Sequence, residues 1–176
     1  MTTAALAETE LLCEIDSGRA LERRADRTVE DARILIVDDD PTAALLMMRL
    51  LERDGFWRVV SIGGGWRALA MILQHPPDVM ILDVHMPDLD GIQVLREMQQ
   101  LEQRTNSVTG VLAVSGDHSA ATCDAMLSAG ADDFIFRPFA GTEFALRVRR
   151  LAQMTRELRR TVGYVGFLEH GVSEPA

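Results

Sequence analysis

The chain has 176 residues, of which 47% are hydrophobic and 26% charged, proportions typical of one globular domain with short extensions. The formal net charge of −9 argues against direct nucleic-acid binding, and no apolar run approaches the roughly 18 residues that a membrane-spanning helix needs. The chain contains 18 arginines and no lysine, which excludes a Walker-type phosphate loop and a Schiff-base lysine.

Residues 1–32 form the first compositional segment, with eight acidic side chains against four arginines. The segment lacks the basic start of a signal peptide, so we expect the chain in the cytoplasm and away from membranes. Leu11, Leu12 and Ile15 are spaced like a short apolar helical stripe, but a disordered leader fits the composition equally well. Residues 1–32 are therefore predicted as an N-terminal extension, helical or disordered.

Strands and helices alternate from residue 33 onward. A continuous apolar run at residues 34–37 predicts a strand buried on both faces, and Asp40-Pro41 predicts the start of a helix. The predicted strands cover residues 34–37, 57–62, 79–82, 111–114 and 134–136. The predicted helices cover residues 41–53, the segment from the turn glycines 63–65 to residue 74, and residues 91–102, 119–129 and 142–161. Five such repeats predict a doubly wound parallel α/β sheet.

Polar side chains stand where the predicted strands end. The first strand is followed by Asp38 and Asp39, the third by Asp83, the fourth by Ser115 and the fifth by Arg137. Ligands bind beyond the carboxyl ends of the strands in an open parallel sheet, so these side chains are expected at one edge. Asp117 and His118, just beyond, are predicted as capping or loop residues.

Three carboxylates at one sheet edge need a compensating cation. Two of them 4 Å apart repel by about 4 kcal/mol at an effective dielectric near 20. A divalent cation with oxygen ligands removes this conflict, and Mg²⁺ is the usual one beside phosphates. The pattern therefore indicates phosphoryl transfer, in which one carboxylate can serve as the nucleophile and form an aspartyl phosphate.

Four segments in order, ILIVDDDP, MILDVHMPDLDG, LAVSGD and GADDFIFRPF, resemble the receiver domain of bacterial two-component response regulators. The resemblance implies a flavodoxin-like fold with strand order 2-1-3-4-5, to which the apolar spacing of this chain adds an extended C-terminal helix. It places the receiver domain at residues 33–151, and residues 152–176 would continue the last helix and form a tail.

The resemblance assigns a role to each acidic residue of the site. Asp83 would accept a phosphoryl group from a sensor histidine kinase or a phosphotransfer protein, with Mg²⁺ as cofactor. Asp39 would bind the metal directly and Asp38 mainly through water. The backbone carbonyl of His85 would complete the metal shell, with its side chain exposed.

The resemblance also implies a switch. Ser115 would turn its hydroxyl to the new phosphate, and Phe134 would follow inward as the aromatic switch residue. The face made by the fourth helix, fifth strand and fifth helix would then change its affinity for a downstream protein target. The chain is accordingly expected to be a signalling module rather than an enzyme.

Arg137 departs from the family pattern, which places a lysine there. Its planar fork is larger than an ammonium group. Arg137 is expected to pair with Asp83, to grip phosphate oxygens, or to lock the resting state through a bidentate pair with Asp83. The last of these options leads to one alternative function, a scaffold that never takes up phosphate.

The last predicted helix carries apolar residues at alternating spacings of four and three, with polar Thr155 among them: Phe144, Val148, Leu151, Leu158 and Val162. The first three are predicted to pack on the sheet. The later ones would either continue as a coiled-coil seam or lie on a solvated face. A homodimer is expected through this helix or through the face of the fourth helix, fifth strand and fifth helix.

A more remote alternative is a phosphatase similar to the haloacid dehalogenase superfamily. Asp38-x-Asp40-x-Thr42 fits that superfamily's opening motif, with Asp38 as nucleophile. The superfamily normally uses a lysine, which this chain lacks, and the alternative does not explain the DVHMPDLDG loop.

Overall fold

The computed structural model describes residues 28–105 and 107–170. The predicted stripe of Leu11, Leu12 and Ile15, most of the predicted extension at residues 1–32, and the last six residues lie outside this part of the chain. Within it, no helix is long and apolar enough to cross a membrane.

Five parallel strands form one sheet in the order β2-β1-β3-β4-β5, as predicted. The strands are β1 Ile34–Val37, β2 Val59–Ile62, β3 Val79–Asp83, β4 Gly110–Ser115 and β5 Asp133–Phe136. The helices between and after them are α1 Pro41–Arg53, α2 Gly65–Gln74, α3 Gly91–Thr105, α4 Ala120–Ser128 and α5 Gly141–His170. The predicted doubly wound flavodoxin-like fold is thus confirmed.

Two apolar layers hold the sheet between helices. Alternate residues of the strands pack on one side against α2, α3 and α4, and on the other against α1 and α5. Every residue of β1, β3 and β4 is buried, as expected for central strands covered on both faces. This burial fixes the carboxyl ends of the central strands side by side at one edge.

Three element boundaries differ from the predictions by two residues or more: β2 begins later, and α3, which ends at Thr105, and α5 both end later. Strand β2 begins at Val59, two residues later than predicted, because β1 begins at Ile34 and its register pairs Ile34 with Val59. Trp57, left without a partner in that register, is 66% exposed. Helix α5 runs to His170, nine residues past its predicted end, and no proline interrupts it before that residue.

Helix α5 packs on the sheet as predicted in its first half: Phe144, Val148 and Leu151 are buried. Thr155 is also buried, and its Oγ1 has no hydrogen-bond partner among the described residues. Leu158 is 46% exposed, and the side chain of Val162 lies outside the described part, so the predicted seam remains a prediction.

Polar contacts extend the packing of α5 beyond the predicted domain limits. Arg159 donates to the carbonyl oxygens of Val108 at 2.7 Å and Pro77 at 2.6 Å, and it also pairs with Asp78. These contacts tie the helix to the amino edge of the sheet eight residues after position 151.

A short 3₁₀ helix, Val29–Asp31, precedes β1 and is tied to α5 by Arg149. The Arg149 guanidinium pairs with Glu30 and, at 2.8 Å, with Asp54 after α1. Because the hydrogen bond from Arg149 stabilises the carboxylate, the pKa of Glu30 falls to about 2. The segment before β1 is therefore attached to the domain from residue 29 onward.

Candidate functional site

Three carboxylates meet at the carboxyl edge of the sheet, as their positions predicted. Asp38 follows β1 directly, Asp39 follows Asp38, and Asp83 is the last residue of β3. One carboxylate oxygen from each lies within 4.8 Å of the other two. Asp38 and Asp83 are buried, whereas Asp39 is exposed, so the cluster opens to solvent on one side.

Backbone geometry sets the direction of the first aspartate. The Asp38 N–H donates to the Ile62 carbonyl oxygen at 3.2 Å, which continues the pairing of β1 with β2. Asp38 Oδ1 accepts the Asp40 N–H at 2.9 Å, and Asp40 caps α1 by accepting the Thr42 N–H at 2.8 Å. The predicted cap is confirmed, and it turns the chain away so that Asp38 and Asp39 remain at the strand edge.

Glycine allows α3 to begin against the backbone of Asp83. A Cβ atom on Gly91 would lie 2.6 Å from the Asp83 carbonyl oxygen and 3.0 Å from the Val84 Cα. The preceding loop is held by Asp88, whose Oδ1 accepts the Gly65 N–H at 3.2 Å, just after the predicted glycine turn. The DVHMPDLDG segment thus has a local structural reason for its final glycine.

Arg137 enters the cluster from the neighbouring loop and contacts two carboxylates. Its Nη1 donates to Asp83 Oδ1 at 3.2 Å, and its Nη2 donates to Asp38 Oδ2. The expected bidentate pair with Asp83 is therefore wrong: each arm of the fork goes to a different carboxylate. The reason is the reach of the side chain, which extends from beyond β5, past β4, to the ends of β3 and β1.

The charge at this edge is only partly compensated by Arg137. The pKa of Asp83 is raised to about 6 because burial and repulsion from Asp38 and Asp39, which raise it, outweigh the effect of Arg137, which lowers it. Three carboxylates against one guanidinium leave an excess of negative charge. Carboxylate oxygens are the ligands that Mg²⁺ prefers, so the donor set of Asp38, Asp39 and Asp83 fits that ion.

His85 lies in the loop after β3 with its side chain exposed, as expected. The role of its backbone carbonyl as a metal ligand remains a prediction.

Ser115 and Phe134 occupy the neighbouring strands β4 and β5. Ser115 is buried at the end of β4, and its Oγ accepts the Asp117 N–H at 3.0 Å. A Cβ on Gly116, between them, would meet no atom within 4 Å from any residue other than its two chain neighbours, so this position is not closely packed. Phe134 is partly buried against the α2–α4 core and contacts the edge of the Phe136 ring at 5.2 Å.

His118 makes a contact that the sequence did not predict. Its ring stacks on Phe136 with centroids 4.7 Å apart, and its Nε2 lies 2.8 Å from the Arg137 carbonyl oxygen. The loop after β4 is thereby joined to the loop after β5. Asp117, in contrast, accepts the Ser119 N–H at 2.9 Å as a local cap, which confirms its predicted role.

Comparison with known proteins agrees with this geometry. Residues 34–149 match the family model of the response regulator receiver domain. The probable transcriptional regulatory protein TcrX of Mycobacterium tuberculosis is 34% identical over 133 residues, which are 76% of this chain and 54% of TcrX. The chain thus spans about half the length of the curated relatives it matches.

Two solved structures show the same fold. The signal receiver domain of a response regulator from Bermanella marisrubri is 34% identical with a TM-score of 0.58, covering 69% of this chain and 98% of that one. The receiver domain of the histidine kinase CKI1 from Arabidopsis thaliana, solved in complex with Mg²⁺, is 25% identical with a TM-score of 0.60. That match covers 66% of this chain and 90% of the CKI1 chain.

Proposed function

The chain belongs to the response regulator receiver family of two-component systems, and on that premise we propose that Asp83 accepts a phosphoryl group from a phosphohistidine donor. The observation that carries the proposal is the meeting of Asp83 with Asp38 and Asp39 within 4.8 Å. Asp38, Asp39 and Asp83 would hold Mg²⁺, as their oxygen donors allow. The only chemistry proposed is self-catalysed transfer to Asp83 and later hydrolysis.

The transfer is a displacement at phosphorus. A carboxylate oxygen of Asp83 forms the new O–P bond while the P–N bond to the donor imidazole breaks, and the nitrogen keeps the electron pair and takes up a proton. Mg²⁺, when bound, spreads the charge that develops on the phosphoryl oxygens. Burial of Asp83 excludes bulk water from the reacting side chain, and its pKa of about 6 leaves it mostly ionised at neutral pH.

Arg137 and Ser115 are positioned to receive the new charge. Arg137 Nη1 already lies 3.2 Å from an Asp83 oxygen, and a guanidinium can donate to phosphate oxygens after transfer. Ser115 ends β4, the strand paired with β3, so rotation of its side chain would turn the hydroxyl toward a phosphate on Asp83. Phe134 would then move inward, which changes the face of α4, β5 and α5.

The proposed partners follow from this switch. A sensor histidine kinase or a phosphotransfer protein would supply the phosphoryl group, and a downstream protein would bind the face of α4, β5 and α5. A homodimer through that face or through α5 is a further part of the proposal. The family match and the relatives favour neither the scaffold nor the phosphatase alternative.

Chemical phosphorylation tests the proposal. The full chain is incubated with phosphoramidate, a P–N donor, and Mg²⁺, and the intact mass and the labelled residue are determined. We expect one phosphoryl group on Asp83, none in Asp83→Asn, and native labelling in Asp124→Asn, which changes an exposed aspartate on α4. Labelling of Asp38 would instead support the phosphatase, and labelling only in Arg137→Lys would support the scaffold.

A further inference from the structure

The candidate metal site already contains a cation, the guanidinium of Arg137. It hydrogen-bonds two of the three carboxylates that could hold a metal ion, Asp38 and Asp83. The Asp38 side chain is completely buried, with Oδ1 engaged by the Asp40 N–H and Oδ2 by Arg137. Both oxygens of the most buried carboxylate are therefore occupied by donors of this chain.

We infer that Arg137 and the divalent cation compete for Asp38, so that metal binding requires Arg137 to release that carboxylate. A metal ion held by the three carboxylates while Nη2 stays in place would put two cationic centres beside the same buried carboxylate. Their repulsion is strong because Asp38 has no solvent contact to screen it. The inference rests on the proposed function only for the identity of the cation.

The backbone of Arg137 leaves the side chain as the part that can move. The Arg137 N–H donates to the Ser115 carbonyl oxygen at 2.7 Å, and the Arg137 carbonyl accepts from His118 Nε2 at 2.8 Å. The residue is thus fixed at both peptide groups, and rotation of the side chain away from Asp38 resolves the competition. The Nη1 contact with Asp83 is the longer of the two contacts and would persist or change partner.

The planar guanidinium group explains why arginine at this position contacts the carboxylates differently from the lysine usual in the family. Arginine presents several donors on one rigid plane and can serve two carboxylates at once, whereas lysine is a single point charge. Arg137 would therefore lower the affinity of the site for a divalent cation. This effect follows from the arginine that this chain carries in place of lysine.

Metal affinity measured without phosphorylation tests the inference. Mg²⁺ is titrated calorimetrically, and Mn²⁺ by electron paramagnetic resonance, into the native chain, Arg137→Lys and Arg137→Gln. We expect Arg137→Lys to bind both ions about tenfold more tightly, because a hydrogen bond to a charged group is worth roughly tenfold in an equilibrium constant. Arg137→Gln should bind at least as tightly, which keeps the test valid if one variant folds poorly.

Matched controls separate competition from simple charge removal. Arg49→Lys and Arg49→Gln make the same changes at an exposed arginine of α1 that pairs with Glu52, and they should leave the affinity within about twofold. Since Arg137→Lys keeps the positive charge, tighter binding in that variant cannot come from lost charge. In addition, the ¹⁵N signal of the Arg137 Nη2 group should show restricted rotation without the metal and free rotation with it.

The outcomes distinguish this inference from the proposed function. Equal or weaker metal binding in Arg137→Lys than in the native chain, or Nη signals unchanged by metal, would overturn the competition. Failure of every variant to bind either ion would overturn it together with the proposed metal site. Tighter binding in Arg137→Lys combined with no label on Asp83 would support the competition and reject the phosphoacceptor.

Discussion

Gly91 links the fold to the candidate site, and replacing it with alanine should destabilise the protein. The added methyl group would lie 2.6 Å from the Asp83 carbonyl oxygen, 3.0 Å from the Val84 Cα and 3.3 Å from the Val84 carbonyl oxygen. All three atoms belong to the backbone, so rotation of a side chain cannot relieve the contact. The strand end that carries Asp83 must move away from the start of α3.

The size of the effect follows from two opposing contributions. Overpacking against a rigid neighbour costs about 3 kcal/mol at the upper end of its usual range. Alanine is a better helix former than glycine by roughly 1 kcal/mol, which offsets part of this cost at the first residue of α3. We expect a net loss of about 2 kcal/mol, equivalent to a midpoint about 1 M lower in urea for a typical slope of about 2 kcal/mol/M.

Equilibrium urea unfolding followed by circular dichroism measures this loss. Gly116→Ala is the matched control, because its methyl group would meet no atom within 4 Å, and its stability should stay within about 0.5 kcal/mol of native. A Gly91→Ala variant as stable as Gly116→Ala would refute the idea that close backbone approach holds Asp83 in place.

Two further predictions concern residues outside the site. Thr155→Val should raise the free energy of unfolding by about 1 kcal/mol, since Thr155 is buried and Oγ1 lacks a partner among the described residues. A loss of stability in urea unfolding would show that a bound water or another group satisfies the hydroxyl. Glu30→Gln should weaken the protein above pH 4.5 but not near pH 2, because the folded pKa of Glu30, about 2, lies below its ordinary value of 4.5. The ion pair of Glu30 with Arg149 therefore stabilises the fold fully above pH 4.5. This stabilisation is lost as the pH falls from 4.5 to about 2. The side chain is 36% exposed, so solvent screening limits the difference to about 1 kcal/mol. Thermal unfolding of both chains from pH 2 to 7 measures it, and a constant difference across that range would contradict the assignment.

The strands and the acidic cluster were predictable from the sequence because both depend on local pattern plus one topological rule. Continuous apolar runs indicate central strands, and parallel connection brings their carboxyl ends to one edge. Asp38, Asp39 and Asp83 could therefore be placed together without coordinates. The start of β2 could not be predicted in the same way. The first paired residue of this edge strand depends on where its neighbour β1 begins.

The pairing of Arg137 with Asp83 was expected and is observed, but its second contact, with Asp38, and the contacts of His118 could not be predicted, for a different reason. The partners of Arg137 depend on side-chain reach across two strands, and a one-dimensional pattern does not contain that distance. The stacking of His118 on Phe136 joins the loop after β4 to the end of β5, 18 residues away in sequence. Sequence position indicated which residues lie at the edge, but the structure was needed to show which carboxylate each donor serves.

The charge count at the sheet edge explains why the proposed switch would respond to a single phosphoryl group. Three carboxylates and one guanidinium leave two uncompensated negative charges, which matches one divalent cation. Phosphorylation of Asp83 adds about one further negative charge. That charge would be met by donors at the neighbouring strand ends and loops, where Ser115 ends β4 and His118 joins its loop to the backbone of Arg137. Because His118 connects these loops to each other, the proposed switch would displace both of them together, and the face of α4, β5 and α5 would move with them.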